Sequence, residues 1–229
     1  MDNKLLAKLP ARELDLIKPH LQSVDLRYMQ VLAETDEPIN HMYFPTRGVL
    51  SMVNEPEDGD IVEFATVGNE GMSGVPLLLG TSTMPSRVFV QVEGAGFRAD
   101  AKRMLDVLKE TPIFHARLMR YIMALLNQVA QGASCNRLHE VQERCARWLL
   151  HTHDRVNGES FVLTQEFLSQ MLGVHRPTVT IAARMLQQAG LIRYSRGQIE
   201  VIDRPGLEAA ACPCYRLIID QYARLLDET

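Results

Sequence analysis

Residues 175–180 read His-Arg-Pro-Thr-Val-Thr. Arg carries a planar fork of donors that can pair with O6 and N7 of a guanine. His175, Thr178 and Thr180 add further donors beside Arg176, and Arg184 stands two helical turns on, placed for a phosphate. Pro177 suits the first turn of a helix, where a backbone N–H has no partner to lose. The start of a helix also offers free N–H groups and partial positive charge, which favour anions. A segment packed only into a core has no need of Arg176 there. This pattern points to a surface that reads base edges. A second candidate chemistry lies at Cys212-Pro-Cys214, where two thiols one residue apart could act as a redox pair.

The flanking elements say how Arg176 would be held. Thr164 is a good N-cap for a helix over Gln165 to Leu172, with Phe167, Leu168, Met171 and Leu172 on its buried face. Gly173 breaks that helix and Val174 plugs the turn. A second helix runs from about Arg176 to Gln188 and ends before Gly190. It turns Val179, Ala182, Ala183 and Leu186 inward. LIRYSRGQIEVID then predicts two strands around Ser195-Arg196-Gly197, with Arg196 at the tip. A helix-turn-helix followed by a basic hairpin reads as a winged helix, whose second helix enters the major groove.

Upstream, residues 1–20 carry Leu5, Leu6, Leu9, Leu14 and Ile17 at helical spacing. From about Val24 to Phe97, short apolar runs alternate with Gly, Pro, Asn and Asp, the texture of many short strands joined by turns. Asp100 caps a further helical stretch, AKRMLDVLKE. Pro112 opens a long helix whose apolar surface is wider than one core contact requires. Leu118, Ile122, Leu125, Leu126 and Val129 are its candidate contacts with a second subunit. The apolar pattern weakens over 131–139. The expected organisation is therefore residues 1–111, a dimerisation helix over 112–135, and a DNA-binding unit over 136–229. The fold class is α+β.

The composition sets bounds. The chain has 229 residues, 46% hydrophobic and 23% charged, enough for two modest domains with real cores. The net charge of −4 looks wrong for a nucleic-acid binder, but its distribution matters more. Residues 1–135 hold 13 basic and 17 acidic side chains, whereas 136–229 hold 11 of each, every basic one an Arg. From Glu166 to Arg196 four Arg face one acid, a small basic patch. No apolar run suits a membrane span, and four scattered cysteines make no disulfide framework. A cytoplasmic protein with no membrane partner is expected. No nucleophile elbow, P-loop or HExxH motif supports an enzyme. The acidic run EPEDGD (Glu55 to Asp60) lacks the alternation of an EF-hand loop and reads as a solvated turn. His151, His153 and Asp154 lack further ligands and read as a solvated helix end, so no metal site is expected.

FLSQMLGVHRPTVTIAARMLQQAGLI, with Gly173, Arg176, Thr178, Val179 and Leu186 in place, resembles the superfamily of the cyclic-AMP receptor protein and the fumarate-nitrate regulator, the Crp/Fnr transcription factors. FPTRGVLSMV resembles that family's early β-roll, and the likeness extends over nearly the whole chain. It implies an N-terminal β-roll of the cyclic-nucleotide-binding jelly-roll type, a long dimerisation helix and a C-terminal winged helix. It further implies a homodimer on a two-fold symmetric DNA site, with Arg176 reading a base and Thr178 touching phosphate. RNA polymerase is a candidate partner. The family's acidic residue after the Arg and its second Arg are replaced by Pro177 and Ile181, so known operators do not carry over. Its Gly-Glu and Arg-Ser nucleotide-holding pairs match only Gly74-Val75 and Ser86-Arg87, the latter reversed. Gly74, Ser86 and Arg87 are the candidate effector pocket, but Val75 offers no acceptor for a ribose hydroxyl. Cyclic AMP is not expected. No cysteine precedes Cys135, so the family's N-terminal iron–sulfur cluster is not expected either. The competing reading is an effector- or anion-binding module whose winged helix contacts protein.

Overall fold

Pro10 divides the N-terminal segment. Two short helices, α1 (Lys4–Ala7) and α2 (Ala11–Ile17), stand where the Leu spacing predicts one. Proline cannot donate to the helical ladder, so it ends one element and precedes the next. Leu5, Leu6, Leu9 and Ile17 are buried regardless. The structure, a computed structural model, describes residues 2–55, 61–156 and 160–227. The EPEDGD run beyond Glu55 lies outside them.

Strands β1 (Gln22–Leu26), β2 (Val31–Ala33), β3 (His41–Asn54), β4 (Val62–Val67) and β5 (Arg87–Asp100) form an antiparallel sheet of order β1-β5-β3-β4, with β2 also on β5. The long β3–β5 pair runs from His41 opposite Asp100 to Val53 opposite Arg87, with bulges near Arg47 that bend it. Gly48 sits at such a bulge with φ +87°, and a Cβ there would lie 2.7 Å from the carbonyl oxygen of Val92. A short helix, α3 (Val75–Leu78), precedes β5. The Asp100 side chain accepts from the N–H of Arg103 at 2.9 Å and so caps α4 (Ala101–Leu108).

Helix α5 (Pro112–Leu138) runs 27 residues and continues past residue 135 through Gly132 and Ser134. Glu13 caps it from α2, its carboxylate accepting from the N–H groups of Ile113 at 3.0 Å and Phe114 at 2.7 Å. Its inner face buries Phe114, Leu118, Tyr121 and Leu125 in the sheet's core. Leu118 and Leu125 therefore face their own domain, and the assignment of these two to a subunit contact is corrected. The outward residues recur three and four apart: Ala116, Met119, Met123, Leu126, Ala130 and Ala133 are exposed or half-buried. Leu126 is 58% exposed.

The C-terminal half comprises α6 (Val141–His153), β6 (Ser160–Val162), α7 (Gln165–Leu172), α8 (Arg176–Gln188), β7 (Ile192–Ser195), β8 (Gln198–Val201), α9 (Arg204–Ala210) and α10 (Cys214–Asp227). The hairpin β7–β8 gains β6 as a third strand, in the order β6-β8-β7. Pro213 separates α9 from α10. Helix α10 leaves the winged helix and packs Ile218, Tyr222 and Leu226 into the sheet's core. In return, Val53 and Phe89 of the sheet enter the winged helix's core, where Phe89 meets Phe167 edge-on.

A buried ion pair crosses this boundary. Arg155, after α6, places Nη2 2.7 Å from Oε1 of Glu70, and both side chains are almost wholly enclosed. Arg155 also donates to Thr66 Oγ1 and to the carbonyl of His151, and its own carbonyl accepts from the N–H of Gly48. Burial alone would raise the Glu70 carboxyl, yet the Arg155 charge and hydrogen bonds hold it below the usual range.

A second crossing is neutral. Glu63 accepts from Trp148 Nε1 at 2.7 Å, and its other oxygen lies 2.5 Å from Ser51 Oγ. Ser51 Oγ is also 2.6 Å from Gln91 Oε1, and Gln91 donates to Thr152. One hydroxyl proton cannot serve both acceptors. A protonated Glu63 resolves this, donating to Ser51 while Ser51 donates to Gln91. Burial pushes the Glu63 carboxyl up to about 7, against the hydrogen bonds of Ser51 and Trp148 and the charges of Arg147 and Arg155.

Two predictions follow from these crossings. Glu70→Gln leaves Arg155 buried without its counter-charge and should cost about 3–5 kcal/mol in denaturant unfolding. A loss under about 1 kcal/mol would show that the pair does not hold the boundary. The folded pKa of Glu63 lies above its unfolded value, so its contribution is complete below pH 4.5 and is lost as pH rises through about 7. Across that window, wild type should lose up to about 3 kcal/mol relative to Glu63→Gln. Parallel stability profiles for the two proteins would refute the shift.

Candidate nucleic-acid interface

Thr164 caps α7 through its hydroxyl, which accepts from the N–H of Phe167 at 3.1 Å. Gly173 ends the helix with φ +61°, the left-handed turn that a Cβ would strain. Helix α8 then presses Val179, Ala182 and Leu186 onto Phe167, Leu168, Met171 and Leu172. This packing turns Arg176, Pro177, Thr178, Ile181, Arg184, Met185 and Gln188 outward.

His175 is the N-cap residue of α8, and no side chain caps this end. The open N-terminus is thus presented to solvent with Arg176, whose side chain is 64% exposed. Glu166 Oε2 lies 3.9 Å from Arg176 Nε. An exposed pair at that distance holds the guanidinium weakly, so it can turn to a ligand. Thr178 and Arg184 share the exposed face. Thr180 does not. It is half-buried, and its hydroxyl lies 2.7 Å from Gln165 Oε1 and 3.1 Å from the carbonyl of Arg176. Thr180 therefore ties α8 to α7, which corrects its assignment to DNA.

The hairpin tip carries Arg196 at φ +51° and Gly197 at φ +76°, the primed turn that suits a two-residue hairpin. Arg196 is exposed there. Arg193 pairs with Glu200 on the neighbouring strand at 2.6 Å, so the basic patch is smaller than the count of Arg suggests. Ile181, 60% exposed, and Met185, 46% exposed, lie among the polar residues of the α8 face. Both are apolar where a solvated helix would be polar.

The three candidate effector residues are each engaged in contacts of their own. Gly74 has φ +91° at the start of α3, against Met42 and Leu77. Ser86 donates to Asn54 Oδ1 at 2.8 Å. Arg87 pairs with Glu55 at 2.9 Å and Glu34 at 3.4 Å. A cavity of about 180 Å³ lies instead where β4, α5, α6 and α7 meet, beside Glu63, Arg144, Arg147 and His151. His151 is buried against Tyr215 and stays neutral, because burial and then the charge of Arg155 lower its pKa. His153 and Asp154 are held by Arg204 at 2.7 and 2.5 Å. His151 is thus enclosed, whereas His153 is half-buried and Asp154 exposed at the helix end. Cys212 and Cys214 lie at the junction of α9 and α10.

Residues 143–210 match the model of the Crp-like helix-turn-helix domain. That segment is Crp-like. The chain's fold is shared with a transcriptional regulator assigned to the Crp/Fnr family from Eubacterium rectale, at a TM-score of 0.70 and 16% identity over 90% of this chain and 96% of that one. A Crp/Fnr-family transcriptional regulator of Thermus thermophilus aligns at 0.66 with 18% identity, over 83% and 98%. The c-di-GMP-responsive global regulator CLP of Xanthomonas campestris aligns at 0.67 with 15% identity, over 84% and 99%. A comparison with curated proteins finds no match. Among the described residues, no helix is long and apolar enough to cross a membrane.

Proposed function

We propose that the chain is a homodimeric transcriptional regulator that reads a two-fold symmetric DNA site through α8 and the β7–β8 wing, in the cytoplasm and without catalytic activity. The observation that carries this reading is the open N-terminus of α8, with Arg176 exposed beside Thr178 and the apolar residues packed behind. Arg176 pairs with a guanine, Thr178 and Arg184 take phosphates, and Arg196 follows the backbone at the wing. His175, at the N-cap, reaches the same groove. Ile181 is an apolar group on this face, of the kind that reads a thymine methyl.

The dimer seam is the outward stripe of α5. Met119, Met123, Leu126 and Ala130 recur with the three–four alternation of two helices packed side by side. Ile122 and Val129 are half-buried and flank it. Two such subunits would set their α8 helices in successive major grooves, about 10 base pairs apart. The β-roll is a degenerate sensor: Arg87, which would hold a nucleotide phosphate, is engaged with two glutamates. RNA polymerase is the partner such a regulator would address. A protein-contact role for the winged helix draws on the exposed Ile181 and Met185. Salt separates the two readings, because DNA binding through several phosphates weakens steeply as salt rises.

Selection of random duplex DNA by the purified chain, without added ligand, tests the main reading. It should enrich a palindrome with a guanine in each half-site. Arg176→Ala should then cost about 1–3 kcal/mol and relax the preference at that guanine. Unchanged binding to every site would remove Arg176 from the interface. Leu126→Glu should shift the protein to monomer in sedimentation analysis while the fold persists, since Leu126 touches solvent in the single chain. A dimer that survives this change places the seam elsewhere.

A further inference from the structure

We propose that Cys135, His139, Cys212 and Cys214 form a structural zinc site. They come from two places far apart in sequence. Cys135 and His139 are four residues apart at the end of α5, so they fall on one side of its last turn. Cys212 and Cys214 flank Pro213, which stops α9 from running into α10. The four ligand atoms all lie within 4.8 Å of one another. Cys135 Sγ is 3.4 Å from Cys212 Sγ, and Cys214 Sγ is 3.5 Å from His139 Nδ1.

These separations suit one small ion. Zinc–sulfur bonds of about 2.3 Å and zinc–nitrogen bonds of about 2.1 Å place tetrahedral ligand atoms about 3.5–3.8 Å apart. The atoms are too close to enclose a cluster of irons and sulfides. Three thiolates and an imidazole make a closed set with no position left for water or substrate, the mark of a structural site rather than a catalytic one. The surroundings agree. The three cysteines are almost fully buried, yet they form a cluster of their own, apart from both apolar cores. The charges of Arg144 and Arg147 act on this group, and a zinc with three thiolates carries net −1, which those cations complement. Gln131 Nε2 lies 3.1 Å from Cys214 Sγ, a donor aimed at a sulfur. Zinc uptake would convert the thiols to thiolates and release their protons. The fourth cysteine, Cys145, sits inside the winged-helix core, where burial pushes its thiol up to about 12. It is not a ligand.

The full-length chain, purified under reducing conditions, should contain one zinc per chain by elemental analysis. After chelation it should take up one Co²⁺, with the visible bands and thiolate charge-transfer absorption of a tetrahedral cobalt–sulfur site. Cys212→Ser should lose stoichiometric metal. His139→Ala changes a half-buried residue at a helix end and so should still fold. It should bind Co²⁺ at least about tenfold more weakly, with altered visible bands. Cys145→Ser should keep both metal and spectrum. A folded, reduced chain that takes up no Co²⁺ overturns the site. So does metal content unchanged in both Cys212→Ser and His139→Ala, or a Cys135–Cys212 disulfide found in place of metal.

Discussion

The buried pair of Arg155 and Glu70 holds the molecule's two halves to one arrangement. A guanidinium in that position must have its carboxylate, because an uncompensated charge in the interior costs several kcal/mol. Around it, the hydroxyl of Thr66 and the end of α6 are set by the same guanidinium, and the main-chain carbonyl of Arg155 accepts from Gly48 in β3. The apolar contact of Phe89 with Phe167 is non-directional and would tolerate sliding. The ion pair does not, since its hydrogen bonds demand one register.

That arrangement also orients the DNA-facing surface. Helix α7 rests its inner face near β4 while α8 stands on α7, so the position of Arg176 is passed through packed layers back to the sheet. The chain of hydrogen bonds from Trp148 through Glu63, Ser51 and Gln91 to Thr152 is a second link, and its protonation state changes close to neutral pH. One link is charged and one is neutral, so pH acts on them separately.

Much of this was readable in sequence because the signals were local. Thr164, Gly173 and Pro177 fix the ends of α7 and α8 within a few residues of themselves, and the bounds predicted for both helices match the structure. Asp100 worked in the same way. What sequence could not supply were partners far along the chain. Glu13 caps α5 from 100 residues away, and Arg155 meets Glu70 across 85. Leu118 and Leu125 looked equivalent to Leu126, because apolarity does not say which side of a helix meets which neighbour. The three–four spacing of Met119, Met123, Leu126 and Ala130 was present and would have separated the two faces. Thr180 looked like a free donor because Gln165, its partner, belongs to the preceding helix. Cys212 and Cys214 were paired by adjacency, while Cys135 approaches Cys212 from 77 residues upstream.

Helix α10 does not end at the winged helix but returns to the sheet's core. The winged helix is thus a body tethered at both ends, entering after Leu138 and leaving at Pro213. Those two tethers meet beside one another, since Cys135 Sγ and Cys212 Sγ are 3.4 Å apart. A body anchored at two nearly coincident points behaves as though hung on a ball joint. With the Arg155–Glu70 pair and the Phe89–Phe167 contact in place it is held, and without them it could turn about that point but scarcely translate. Motion that releases Arg155 from Glu70 would therefore carry α8 along an arc centred on the cysteine cluster, and the length of that lever would set how far the reading surface travels.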